Sequence, residues 1–120
     1  MIDVEQLRDY CLSLGADVEE RMPFGKFHGA SEVLVFYVCG HMFCYFDIAR
    51  YECVSVKCEP ERIVELRAQH ECLCNPYNLS AKHWLGITVR DADRDLVTRL
   101  VSNSYRLVKA KYSRQRATSR

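Results

Sequence analysis

Near the start of the chain, apolar positions recur at helical spacing: Val4, Leu7, Cys11 and Leu14 fall on one face. Asp3 stands where an N-cap is expected, Gln6 three residues later can complete a capping box, and Gly15 can end the helix. A short polar piece with Val18 leads to Pro23-Phe24-Gly25, a turn signal because proline fixes φ and glycine permits positive φ. The pattern then changes period. Val33–Cys39 and Met42–Ile48 are rich in β-branched and aromatic residues and are joined by Gly40-His41, which predicts a hairpin. In the next run, Cys53–Cys58, alternation sets Val54, Val56 and Cys58 on one face and Cys53, Ser55 and Lys57 on an outward one.

Pro60 suits a first helical turn, and Ile63, Leu66, His70 and Leu73 give the stripe of a second helix that Asn75-Pro76 would end. Trp84–Val89 reads as a strand with Leu85, Ile87 and Val89 toward the core. Asp91 or Asp93 can cap a closing helix whose stripe is Leu96, Val97, Leu100, Val101, Ser104, Leu107 and Val108. This order predicts an α+β fold, a single two-layer domain in which helices pack on one face of an antiparallel sheet. The domain is expected over residues 1–112, followed by a basic flexible tail over 113–120.

Charge changes that picture at one end. The chain has 120 residues, with 17 Lys and Arg against 16 Asp and Glu, a net of +1. Every acid lies at or before Asp95, so residues 1–105 carry −5 and residues 106–120 carry +6. A block of like charge at one end is either a solvated tail or a segment that docks on phosphate. No run is long and apolar enough for a membrane span, and Asp3, Glu5 and Asp9 do not fit a signal peptide's basic start, so a cytoplasmic protein with no membrane partner is expected. In that reducing setting the seven cysteines are expected to be free thiols, mostly buried.

Pro23-Phe24-Gly25, Gly40-His41-Met42-Phe43, Val56-Lys57-Cys58-Glu59-Pro60-Glu61, Leu66-Arg67, Asn75-Pro76, Lys82-His83-Trp84 and Ser104-Tyr105-Arg106-Leu107-Val108 occur in one ordered set. In order and spacing this set resembles the MmcQ/YjbR family over about residues 3–111. The resemblance implies a domain similar to the CyaY (frataxin-like) fold, in a family usually described as DNA-binding. His41 departs from the pattern, standing where Lys commonly follows Gly, and the cysteines are unusually many.

Binding of nucleic acid needs lysines and arginines gathered on one surface. Lys57 on an outward strand, Lys82 and His83 beside Trp84, and Arg106, Lys109 and Lys111 toward the C-terminal end could form one basic strip, with Tyr45 or Trp84 available for stacking. DNA is thus one expected partner. The alternative is a protein-interaction module that meets an acidic partner without nucleic acid. Trp84 also fits a core edge, Lys57 an ion pair with Glu59 or Glu61, and Tyr105 a packed residue whose hydroxyl reaches the adjoining loop.

Metal chemistry finds less support. His70, Cys72, Cys74 and His83 are the candidates, but Cys72-x-Cys74 is one residue short of zinc spacing. An acidic iron-binding ridge would need more carboxylates than Asp3, Glu5, Asp9, Glu19 and Glu20, which Arg8 and Arg21 interrupt. Neither a Gly-rich phosphate loop nor a nucleophile elbow is present, so no catalytic residue, metal or cofactor is expected and the chain reads as a non-enzyme.

Overall fold

A computed structural model describes residues 1–26, 32–76 and 79–118, with side chains through Ser113. Helix α1 spans Val4–Ser13 and opens with the capping box expected of its sequence: the Asp3 carboxylate accepts from the Gln6 N–H while the Gln6 side chain accepts from the Asp3 N–H. Leu14, in right-handed geometry, closes α1. Gly15 is not the left-handed cap expected from the sequence. Its lack of a Cβ makes room instead for the Tyr105 hydroxyl and the Asp17 carboxylate, both of which a side chain there would strike.

Among the described residues the sheet has six strands, β1 (Glu19–Arg21), β2 (Val33–Val38), β3 (His41–Asp47), β4 (Cys53–Lys57), β5 (Leu73–Cys74) and β6 (Trp84–Thr88), in the antiparallel order β1-β2-β3-β4-β6-β5. The β2–β3 hairpin turns on Cys39 and Gly40, both at positive φ, the twist that a two-residue connection requires. A register shift at Phe36/Tyr37 leaves Phe43 as an extra residue on β3, so that Phe43 and Cys44 both reach the core.

Helix α2 (Pro60–Gln69) begins at its proline but ends before the stripe predicted for it does. His70 is already extended, and Leu73 pairs with Ile87 as part of β5, which corrects the helical assignment of His70 and Leu73. Pairing with the sheet overrides the helical spacing there. Helix α3 (Arg94–Thr118) is capped by Asp93, whose carboxylate accepts from the Leu96 N–H at 2.7 Å.

One face of the sheet carries Leu34, Phe36, Phe46, Val54, Val56, Leu85 and Ile87, all buried against α1 and α3, and Ile63 of α2 joins the same core. Ser104 of α3 is fully buried in this layer and ties it to the sheet. Its hydroxyl donates to the Phe43 carbonyl at 2.5 Å and accepts from the Lys57 N–H at 2.9 Å. It thereby satisfies two backbone groups at the place where the β3 bulge ends regular pairing with β4.

Among the described residues the other face carries no helix, yet Ser55, set outward by alternation, is not exposed there. Val35 and Ser55 on that face are buried at 0% and 1% exposure. Tyr45, paired with Ser55, and Trp84, on the next strand, close over the small residue. Among the described residues no helix is long and apolar enough to cross a membrane.

Candidate functional site

Lys57 ends β4 opposite Trp84, the first residue of β6. Its ammonium does not point into open solvent but lies 5.6 Å from the centre of the Tyr112 ring. Tyr112 falls one helical repeat beyond Tyr105, on the inner side of α3, and Lys111 approaches the same ring at 5.2 Å. His41, the first residue of β3, stacks on the same ring, its own ring 3.4 Å from that of Tyr112 and tilted by 9°. Two cations and two rings are thus gathered at one end of the sheet, within the range where a cation is attracted to a π face.

A cleft of about 170 Å³ adjoins this cluster and is lined by Lys57, His83, Lys111 and Leu107 together with Glu59 and Glu61. The sheet places the His83 backbone: its carbonyl accepts from the Cys58 N–H at 3.0 Å, extending the β4–β6 pairing. The Glu59 carboxylate accepts from Asn103 Nδ2 at 2.9 Å and lies 3.6 Å from Arg62. Burial pushes Glu59 up, but the Asn103 hydrogen bond and other attractions outweigh it and hold the carboxyl below its usual range. Burial also lifts the Cys58 thiol of the same cleft to about 11, which keeps it protonated and poorly nucleophilic at neutral pH.

The residues expected to make one strip are divided by α3. Lys57, His83 and Lys111 come together, Lys82 lies exposed in the turn before β6, and Trp84 sits half-buried against Tyr45 at 6.1 Å between ring centres. Lys109 is two residues from Lys111 and so projects from the opposite side of the helix. There it meets Asp17 at 3.0 Å and the Tyr105 hydroxyl at 3.2 Å, while that hydroxyl donates to Asp17 at 2.7 Å. Arg106, exposed and one turn before Lys109, shares that outer side. The side chains of Arg114, Arg116 and Arg120 lie outside the described residues.

Two members of the cluster, His41 and Tyr112, were not among the residues expected to bind. The sequence does hold a signal for Tyr112: Val101, Tyr105, Val108 and Tyr112 repeat at spacings of four, three and four, one face of a helix. Among the described residues, no three His, Cys, Asp or Glu side chains are placed to hold a metal ion, His70, Cys72, Cys74 and His83 included. The seven cysteines are free: Cys11, Cys44 and Cys58 are buried, whereas Cys39, Cys53, Cys72 and Cys74 are half-buried, so fewer are fully enclosed than their number predicts.

No curated protein matches the chain. Among solved structures it is similar to the Deinococcus radiodurans protein DR2400, which carries the DUF419 domain: TM-score 0.79 and 33% identity, over 91% of this chain and 80% of that one. A Pseudomonas syringae protein shares the fold at TM-score 0.71 and 17% identity, over 88% of this chain and 98% of that one. The YjbR family model matches residues 13–107, which include the α1 terminus, the whole sheet and the cleft from Lys57 to Leu107; the chain belongs to the YjbR family.

Proposed function

We propose that this YjbR-family domain is a non-enzymatic binding module that contacts nucleic acid through phosphates. The observation that carries the reading is the convergence of Lys57, Lys111 and His83 around the Tyr112–His41 stack, beside the exposed Lys82. Lysines held near one another by strand and helix ends neutralise phosphates, and the counterions released drive binding at low salt. The basic end of α3 extends the same charge beyond the cleft. Lys109 contributes less, because Asp17 already balances its charge.

Glu59 and Glu61 at the rim favour the competing reading, a protein partner that brings its own cations and anions to a mixed surface. Gel-shift titrations of the full chain across a salt series separate the two. We expect binding at low salt, with log K falling linearly against log salt. Lys57→Ala with Lys111→Ala should flatten that slope by about 0.9 for each duplex phosphate that is no longer neutralised. Lys109→Ala should change it least, and a chain ending at Ser113 should bind more weakly. Absence of binding at low salt overturns the proposal and leaves the protein-partner reading.

A further inference from the structure

At the end of β4 opposite Lys57, two cysteines from strands that are not neighbours approach each other across β6. In register, Cys53 of β4 lies opposite Thr88 and Cys74 of β5 opposite Gly86, so both side chains stand on the face that Gly86 and Thr88 share. Gly86 keeps the space between them open. A Cβ at that position would stand 3.0 Å from the Cys74 Sγ, and the same sulfur lies 3.8 Å from the Thr88 hydroxyl. The Cys74 thiol thus leans over β6 toward β4. Cys53 meets it from the other side and lines a cleft of about 190 Å³ together with Asp47, Arg50 and Glu52. Both thiols are free and half-buried, and burial first, then the Cys74 thiol beside it, push the Cys53 thiol up to about 11.

A disulfide does not fit this pair. Two strand spacings separate β4 from β5, so the Cα atoms of Cys53 and Cys74 lie at least about 9 Å apart, beyond the roughly 4–7 Å that a disulfide spans. Zinc does not fit either, because it takes four ligands and, among the described residues, no three Cys, His, Asp or Glu are placed to hold a metal. A soft monovalent cation asks for less. Copper(I) selects thiolate sulfur and is held by two of them in a line, one on either side. We propose that Cys53 and Cys74, facing each other over Gly86, form a two-thiolate site for copper(I). Binding breaks two S–H bonds and makes two Cu–S bonds; both protons leave to solvent and no electron is transferred. The cleft supplies the route, since Asp47 and Glu52 outnumber Arg50 on its wall and draw a cation toward Cys53. The site is independent of the phosphate contacts proposed above.

The full chain, reduced and kept free of oxygen, is titrated with copper(I) in competition with a coloured copper(I) chelator. The expected result is that one ion per chain resists the chelator, and that Cys53→Ser and Cys74→Ser each lose it. Cys72→Ser should keep it, which separates this pair from the Cys72-x-Cys74 segment. Circular dichroism checks that the variants fold. Should one not, alkylation of the wild type read by mass spectrometry decides alone, with copper(I) expected to shield Cys53 and Cys74 together. The site is overturned if the chelator strips the wild type, if Cys53→Ser retains the ion, or if copper(I) shields other cysteines instead of this pair.

Discussion

Ser104 shows how much one small side chain can carry. Its fully buried hydroxyl is the partner of a carbonyl and an N–H from two different strands, so removing it takes the partner from both groups at once. Ser104→Ala should lower stability by on the order of 2–4 kcal/mol, since each buried unpaired group costs about 1–3 kcal/mol, and equilibrium urea unfolding measures it. In the sequence Ser104 is legible as a member of the α3 stripe but not as a bridge, because the bulge that creates its partners depends on the β2–β3 register. Tyr105 reads more fully: a tyrosine beside an apolar stripe must take its hydroxyl to some polar group, and it finds Asp17. The residues proposed to bind stand between these cases. Lys57, His83 and Lys111 could be chosen by type, whereas their gathering around Tyr112 and the diversion of Lys109 to Asp17 depend on which side of α3 meets the sheet.

At the scale of elements, those with a full signal are where the pattern puts them. Strands β2, β3, β4 and β6 match alternating or β-branched runs to within a residue at each end, and α1 and α3 begin at their capping aspartates. Strands β1 and β5 carry too little pattern to be read. Glu19–Arg21 holds no apolar residue, and Leu73–Cys74 is only two residues long. Each exists because a neighbouring strand offers unpaired backbone groups. The β2–β3 turn makes its own prediction. Gly40 stands at φ +77, where a branched side chain is strained, so Gly40→Val should cost on the order of 1–2 kcal/mol or more in thermal or urea unfolding. The same substitution should loosen the His41–Tyr112 stack that follows the turn, and histidine ring NMR shifts would register it.

For the whole molecule, the contact of Asp17 with Lys109 and Tyr105 is a clasp between the two ends of the described fold. The other ion pairs among the described residues span twelve residues or fewer. The Tyr105 hydrogen bond, followed by that from Lys109, holds the Asp17 carboxyl below its usual range. A carboxyl lowered in this way stabilises the fold above its unfolded value of about 4, and the contribution is lost as pH falls through the folded value. The gap in unfolding free energy between wild type and Asp17→Asn should therefore hold steady from about pH 7 to about 5 and close on further acidification. Charge has a second consequence at this scale. The acids that outnumber bases before residue 106 leave the −5 portion and the +6 portion of one chain with opposite demands, so the proposed nucleic-acid binding should be strongest where salt is low and weaken smoothly as it rises.

Helix α3 closes the core from the last position in the element order, supplying Leu96, Val97, Leu100, Val101, Tyr105 and Val108 to a sheet completed by β6. During synthesis, α1 precedes the strands, but every strand is made before α3, which supplies most of the layer that covers them. A nascent chain halted before α3 exposes Phe36, Phe46, Val54, Leu85 and Ile87 together, an apolar face suited to capture by a holdase chaperone. A chain truncated after Ala92 should therefore bind a holdase chaperone in a pull-down, whereas the full chain, with α3 in place, should not.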